Sequence, residues 1–240
     1  MIKPAQKIAT SSAMEVRTEL VSRIAVHAPS VGEHSTAIAG LVLFRRTQAT
    51  ACYRAAIEPS LTVFVQGNKR MSLGGTAYLC GPSSFFLSSI DVPIESQIVE
   101  ASEEVPLLSM LLRLDMAIVR EILSREELPE VEPSGQPRGV AIGQARAGLL
   151  NACSRLMELL DTPEDIPFLS HLVQREIIYH ILKTPQGRGS GLLQRQATSA
   201  TGRRERSPGS ETTMRSVCTW TNLRVSHGSE FQRFIISSAH

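Results

Sequence analysis

The chain has 240 residues, of which 42% are hydrophobic and 20% are charged, and its formal net charge is +2. This composition is ordinary for a globular protein and allows one sizeable core, or one domain with a smaller piece. The small net charge excludes a global electrostatic signature of nucleic-acid or membrane binding. No apolar run approaches the roughly 18–20 residues that a membrane-spanning helix needs.

The beginning of the chain and its cysteines indicate a cytoplasmic location. Residues 1–13 include Lys3 and Lys7, but no long apolar segment follows them, so we expect a flexible N-terminus over residues 1–14 and no secretory signal. The four cysteines are far apart and form no C-x-x-C pair, which favours thiols in a reducing compartment over a disulfide framework. They are Cys52, Cys80, Cys153 and Cys218.

The first elements in chain order are a helix and two short strands. Over residues 15–27, Val16, Leu20 and Ile24 recur at a spacing of four, which predicts an amphipathic helix. The apolar run at 37–45 predicts the first strand, and residues 52–57 predict a second.

Short β-rich runs then follow one another with turn residues between them. They lie at residues 61–66, 69–73, 76–80, 84–89, 94–101 and 107–114. The pairs Gly67-Asn68 and Gly74-Gly75 predict hairpin turns, which would make the first three runs an antiparallel meander. Connections this short favour antiparallel neighbours, and a rolled double sheet of the jelly-roll or cupin kind would protect the edges.

From Asp115 onward the pattern becomes helical. Asp115 is a suitable N-cap for a helix over residues 116–125, and a Pro/Gly-rich break follows at 129–139. Apolar periodicity predicts a long helix over 141–160 and another over 168–183. The predicted fold class is therefore α+β: a cupin-like antiparallel β-sandwich at about residues 37–114, followed by a helical region.

The last part of the chain differs in charge. Residues 184–240 contain eight arginines, three glutamates and no lysine, a net charge of +5, so the preceding residues carry −3. Gly, Ser, Thr and Arg dominate through Arg215 without an apolar period. We expect residues 188–240 to form a basic, irregular or disordered tail whose contact with phosphates would be independent of sequence.

Several segments together resemble the N-terminal domain of AraC/XylS-type bacterial transcription regulators. They are EPSLTVFVQGNKRMSLGG at 58–75, FFLSSIDVP at 85–93, LLDTPEDIP at 159–167 and TPQG at 184–187. The resemblance covers about residues 15–187. It implies a cupin-like domain at 15–128 that senses a small-molecule effector, a helical linker and dimerisation region at 140–187, and a homodimer.

The same resemblance implies a partner that the sequence does not account for. Members of the family continue into two helix-turn-helix units that bind DNA, which need about 80–100 residues at ordinary helix lengths. Only 57 residues follow Lys183, and they show no paired helix–turn–helix pattern. We therefore expect the DNA-binding domain to be missing or degenerate. The alternative is a cupin-fold small-molecule-binding protein or enzyme that does not act on DNA.

Strand alternation and helix periodicity select the candidate site residues. Side chains two apart share a strand face, so an inward face would line an aromatic pocket with a few polar groups. The candidate ligand-binding residues are Phe64, Gln66, Tyr78, Phe86 and Ser88. One stripe of the helix at 168–183 is the candidate dimer interface, formed by Leu169, Leu172, Val173, Glu176 and His180.

We expect no catalytic residue, metal or cofactor. A metal-dependent cupin uses clustered His and Glu ligands, but no histidine lies within residues 61–114. Ser88, Ser89 and Asp91 lack both a G-x-S-x-G elbow and a nearby histidine, so strand-end hydroxyls are the simpler interpretation. The sequence predicts a protein that is not an enzyme.

Overall fold

The computed structural model describes residues 4–73, 75–124, 140–189 and 234–235, with side chains for 13–73, 75–124 and 140–187. The helices are α1 (Pro4–His27), α2 (Met116–Leu123), α3 (Ala147–Glu158), α4 (Ile166–Leu182) and α5 (Pro185–Gly189), with a 3-10 turn at Pro163–Asp165. The first strands are β1 (Gly32–Ser35), β2 (Leu41–Arg46), β3 (Tyr53–Ile57), β4 (Ser60–Gln66), β5 (Asn68–Leu73) and β6 (Thr76–Cys80). The remaining strands are β7 (Ser84–Ser88), β8 (Val92–Glu100), β9 (Leu107–Arg113), β10 (Val140–Gln144) and β11 (Phe234–Ile235).

The strands form two antiparallel sheets. Sheet A has the order β1-β2-β9-β4-β7-β10, and sheet B has the order β11-β6-β5-β8-β3. Every neighbouring pair in both sheets is antiparallel. The two sheets share one buried cluster that includes Phe64 and Phe86 of sheet A and Met71 and Ile98 of sheet B. The predicted α+β fold with a cupin-like antiparallel sandwich is confirmed.

Helices cover the other face of sheet A and form a third layer. Leu20 and Ile24 of α1 and Leu150 of α3 are fully buried in a second cluster with Leu61 and Phe85 of sheet A. The end of α1 is also tied to the α3–α4 connection, because Arg23 and His27 both contact the carboxylate of Asp161, at 2.8 and 3.1 Å. Sheet A is therefore enclosed on both faces.

The hairpin predicted at Gly67-Asn68 is wrong. β4 pairs with β7 and β9 in sheet A, whereas β5 pairs with β6 and β8 in sheet B, so the chain changes sheets at Gly67. Gly67 has φ +75°, and a Cβ there would lie 2.7 Å from Leu107 Cα. A turn pair that allows positive φ suits a tight corner between sheets as well as a hairpin. The second predicted turn does connect β5 to β6 as a hairpin.

The long helix predicted over 141–160 is also wrong at its beginning. Val140–Gln144 forms β10, which pairs antiparallel with β7, and α3 begins only at Ala147. The β-branched residues Val140 and Ile142 suit a strand, and the exposed edge of β7 supplies a hydrogen-bonding partner that periodicity alone does not reveal.

The remaining predictions have mixed outcomes. The helix after Asp115 is confirmed, with the Asp115 carboxylate accepting a 2.8 Å hydrogen bond from the amide of Ala117. Helix α1 begins at Pro4, so it includes most of the segment predicted as a flexible N-terminus, and β1 is an additional strand. Residues 125–139 and nearly all of the predicted basic tail lie outside the described residues. Any DNA-binding module within that tail lies outside them as well. Within the tail, Phe234–Ile235 is described and pairs with β6.

No helix in the described parts of the chain is both long and apolar enough to cross a membrane.

The corner at Gly67 gives a test of the fold. Gly40 also has positive φ (+81°), but a Cβ added there would come no closer than 3.4 Å to Arg113 Cβ. A Cβ added at Gly67 would clash with the backbone of Leu107 and would lie 2.9 Å from the Glu100 carbonyl oxygen. We expect Gly40→Ala to lower the free energy of unfolding by about 1 kcal/mol and Gly67→Ala by about 2 kcal/mol or more. Urea unfolding of both variants measures the difference, and equal losses would contradict a crowded corner.

Candidate functional site

The two faces of sheet A have different chemistry. The face toward the helices is apolar, with Val63, Leu87 and Met110 among its buried residues. The register places a mixture of aromatic and small hydroxyl side chains on the face toward sheet B. These residues are Phe44, Ser60, Thr62, Phe64, Ser84, Phe86, Ser88 and Ser109, and the aliphatic Val42, Leu107 and Val140 lie on the same face. Small-molecule sites combine apolar surface with a few oriented polar groups, which is the chemistry of the second face.

Sheet B contributes the opposing wall of the space between the sheets. Met71, Cys80, Ile94 and Ile98 are buried there. The Cys80 sulfur lies 3.9 Å from the Met71 sulfur, so the two strands of the β5–β6 hairpin are in close side-chain contact. The wall is apolar at its centre.

A polar group of residues lies at one end of this space. Tyr53 is opposite Ser96 in the β3–β8 register, and Lys69 is opposite both Ile98 and Cys80, so these side chains share the inward face of sheet B. The Lys69 ammonium lies 5.9 Å from the centroid of the Tyr53 ring. From sheet A, Arg46 lies two residues after Phe44 on the inward face, with its guanidinium 5.7 Å from the Phe44 ring centroid.

The cations on both inward faces act on the Tyr53 phenol in the same direction. Burial alone would raise the pKa of the Tyr53 phenol, but the charge of Lys69, hydrogen bonding with Ser96 and Lys69, and the charge of Arg46 together lower that pKa. Tyr53 is still 42% exposed, so solvent reaches this end. None of these residues is among the site residues predicted from the sequence, although side-chain alternation from Phe44 to Arg46, and from Met71 back to Lys69, places both cations on inward faces.

Four of the five predicted ligand-binding residues lie on the inward faces. Phe64, Phe86 and Ser88 are buried, and the Ser88 hydroxyl donates a 2.7 Å hydrogen bond to the Ile90 carbonyl oxygen. Tyr78 is half-buried and is opposite Met71 in the β5–β6 register. The structure therefore brings these side chains toward one space between the sheets.

Gln66 is the exception. A β-bulge after Phe64 shifts the register, so Gln66 is opposite Leu108, which packs on the helix side of sheet A. The Gln66 amide donates a 2.9 Å hydrogen bond to the Pro106 carbonyl oxygen. A bulge breaks the alternation of faces, so the prediction that Gln66 shares a face with Phe64 is wrong.

The predicted dimer stripe on α4 divides into two parts. Leu169 and Leu172 are exposed, and Val173 is partly buried against the helical core. Glu176 forms an ion pair with Arg155 of α3, and His180 lies 3.5 Å from the same carboxylate. The second half of the stripe is therefore occupied within the chain.

Two further apolar side chains on α4 are exposed. Phe168 is 73% exposed and Tyr179 is 38% exposed. At helical spacing, Phe168, Leu172 and Tyr179 share one side of α4, and Leu169 lies next to Phe168 in the chain. Neither Phe168 nor Tyr179 is among the dimer-interface residues predicted from the sequence. We call Phe168, Leu169, Leu172 and Tyr179 the α4 patch.

Within the described ranges, no group of three or more His, Cys, Asp or Glu side chains converges as a metal site would require.

The inward thiol of Cys80 provides a test of the buried space. Burial raises the pKa of the Cys80 and Cys153 thiols to about 12, despite a lowering effect of Lys69 on Cys80, so both remain protonated at pH 8. Cys52 is only half-buried. Because the thiolate is the nucleophile, we expect iodoacetamide at pH 8 to modify Cys52 at least about tenfold faster than Cys80 or Cys153 in the native chain. Peptide mass spectrometry measures the rates, with urea-unfolded protein as the control; equal native rates would contradict a closed interior.

Comparison with known proteins identifies the family. Residues 37–189 match the sequence profile described as AraC-type transcriptional regulator N-terminus. No curated protein matches the chain by sequence. Similar solved structures include ToxT from Vibrio cholerae O395, with 8% identity, a TM-score of 0.44 and coverage of 62% of this chain and 54% of that one.

Two further structures are similar in the same range. Wild-type ToxT from Vibrio cholerae strain SCE256, bound to an unsaturated fatty acid, has 13% identity, a TM-score of 0.38 and coverage of 60% of this chain and 53% of that one. The AraC-like transcriptional activator CuxR has 13% identity, a TM-score of 0.30 and coverage of 73% and 56%. This chain thus spans less than two thirds of the length of these regulators. Since the profile covers more than half of the sequence, the chain belongs to the AraC-type transcriptional regulator family, through the N-terminal domain of that family.

Proposed function

We propose that this chain is the effector-sensing and dimerisation part of an AraC-type transcriptional regulator, and that the effector binds between the two sheets. The observation that carries the proposal is the mixed aromatic and hydroxyl face that sheet A turns toward sheet B. A face that served only as core would be expected to be as apolar as the helix side of the same strands. Family membership supports the regulatory role.

Three of the hydroxyl groups on this face are hydrogen-bonded within the chain, whereas one hydroxyl group on the opposing wall is not. Ser60, Ser84 and Ser88 each donate to a nearby backbone carbonyl oxygen, at 2.8, 2.6 and 2.7 Å. Ser96, on the opposing wall, is buried and its Oγ atom makes no hydrogen bond of good geometry within the described chain, although it lies near enough to Tyr53 to influence that phenol. Burying a hydroxyl without a partner is unfavourable, and a ligand would supply one.

We propose that the α4 patch forms the interface of a homodimer. The patch residues are apolar and exposed, which is typical of surfaces that bind a second chain, and Arg175, which is ion-paired with Glu121, lies between Leu172 and Tyr179 on the same helix side. Helix α4 packs against α3, and the helical layer lies on sheet A, which is one wall of the proposed effector space. Effector occupancy and dimer geometry would therefore be linked through sheet A.

DNA is the further partner that the family implies, through a helix-turn-helix domain. We propose that the described domain senses and dimerises, and that it binds its effector without chemical turnover. A regulator of this kind acts where the bacterial DNA is, in the cytoplasm.

The effector proposal is tested by ligand-induced stabilisation. A small-molecule library is screened by thermal shift on the whole chain, since a ligand at 100 times its Kd stabilises the folded state by about 2.7 kcal/mol. We expect Tyr78→Ala, on the inward face, to weaken binding of the best compound by about tenfold. Leu79→Ala, at the next and outward position of β6, is the matched control and should bind as the wild type does. Equal effects of the two substitutions would contradict a site between the sheets.

The dimer proposal is tested by charge insertion into the α4 patch. Because a carboxylate in an apolar interface must be desolvated, we expect Leu172→Glu to shift the chain from dimer to monomer. Light scattering coupled to size exclusion, at tens of micromolar protein, measures the mass. Val105→Glu changes an equally exposed apolar residue on a distant loop and should leave the dimer intact. A wild-type chain that is monomeric under these conditions would contradict the proposal.

A further inference from the structure

The described strands at the sheet edges are protected against further pairing in different ways. At the edges of sheet A, β1 has only four residues and contains Glu33, and β10 is flanked by α5, whose Gln186 side chain lies near Gly143. At one edge of sheet B, β3 carries the charged side chain of Arg54. Short length, charge and a covering element are the usual means by which a sheet edge avoids pairing with another chain.

The strand β6 lies toward the other edge of sheet B and has none of these protections in its own sequence. Its residues are TAYLC, without a charged residue or a proline, and threonine and tyrosine favour extended backbone. The segment Phe234–Ile235 pairs with the side of β6 that faces away from β5, with Phe234 opposite Ala77 and Ile235 opposite Thr76. The edge that needs a cover is therefore the one on which β11 lies.

The burial of β6 supports this pairing independently of the strand register. Tyr78 and Cys80 face inward, so Ala77 and Leu79 lie on the outward face of the same strand. Leu79 is 45% exposed, whereas Ala77 is only 2% exposed. On β5, the residue opposite Ala77 is Ser72, which is small and itself half-buried. The loss of exposure is thus local to the position opposite Phe234, and it points to the β11 side as the source of the cover.

The length of the chain permits this contact. Residues 190–233 connect α5 to β11 and would span up to about 145 Å if fully extended, which is ample for reaching β6. Because donor and acceptor strands belong to one chain, pairing is intramolecular, at an effective concentration of up to about the millimolar range. Tethering can therefore hold a strand on β6 that is too short to bind well as a separate peptide.

We propose that β6 is a strand-acceptor edge, and that its occupant is the segment of this chain around Phe234–Ile235. The segment adds as an antiparallel strand through backbone hydrogen bonds and closes sheet B against pairing with another copy of the chain. This inference does not depend on effector sensing or on the α4 patch. It assigns a role to the end of the chain that neither of those proposals requires.

Disulfide trapping in the full chain tests the register. Facing residues of an antiparallel pair have Cα atoms about 4.5–5.5 Å apart, which is within the range of a disulfide. Two double variants are made separately, Ala77→Cys with Phe234→Cys and Thr76→Cys with Ile235→Cys, because two successive pairs differ in how closely the side chains approach. All variants also carry Cys218→Ser. We expect at least one of the two pairs to form an intrachain disulfide under a mild oxidant in dilute protein.

The matched control moves one cysteine away from the paired residues. Ala77→Cys with Ser229→Cys keeps the cysteine on β6 and places its partner five residues before Phe234. We expect the paired variant to form its disulfide at least about tenfold faster than this control, since only the paired cysteines are held within bonding range. Mass spectrometry identifies the products. Equal rates, or disulfides that form mainly between two copies, would overturn the inference.

A second measurement tests whether β11 closes the edge. Proline has no amide hydrogen to donate, so Phe234→Pro with Ile235→Pro in the full chain should release β6. We expect faster hydrogen–deuterium exchange in residues 76–80 and, by light scattering, a mass that rises above the wild-type value with concentration. Ser226→Pro with Ser229→Pro is the control and should change neither. Exchange in β6 that is the same in both proline variants, or a mass that stays at the wild-type value, would count against an edge closed by β11.

Discussion

The enclosure of sheet A on both faces is the constraint on which the rest of the structure depends. All residues of β7 and all but the last of β4 are buried, because helices cover one face and sheet B covers the other. A strand with two buried faces would normally be apolar throughout. Here only the helix side is uniformly apolar, while the side toward sheet B mixes phenyl rings with hydroxyl groups, and this second face is the one on which we propose that the effector binds.

The inward faces of the two sheets combine apolar and polar side chains. Phe64 and Phe86 of sheet A share a buried cluster with Met71 and Ile98 of sheet B. In the registers of sheet B, Met71 is opposite Ser96, and Lys69 is opposite both Ile98 and Cys80, so polar and apolar side chains are direct neighbours. A ligand between the sheets would therefore meet both kinds of surface.

Much of the fold could be predicted from the sequence, since short β-rich runs between turn residues specify an antiparallel sandwich, and periodicity specifies α2 and α4. The errors have physical causes. Gly67-Asn68 permits positive φ, which a corner between sheets requires as much as a hairpin does. The partner of Val140–Gln144 is a strand more than fifty residues earlier in the chain.

For the site, alternation placed Phe64, Tyr78, Phe86 and Ser88 on the inward faces but failed at Gln66, because a bulge is not visible in the pattern of residues. The effect of Arg46 and Lys69 on Tyr53 depends on the approach of two sheets, which no local spacing encodes.

The central claim is that the ligand space lies between the sheets and opens near Tyr53. Hydrogen–deuterium exchange of the whole chain, with and without the library compound that stabilises it most, tests this claim most directly, because bound ligand slows local opening of the strands it contacts. The account predicts slower exchange in β3, β5 and β8, where Tyr53, Lys69 and Ser96 lie. Protection confined to the helices, with exchange in sheet B unchanged, would contradict it.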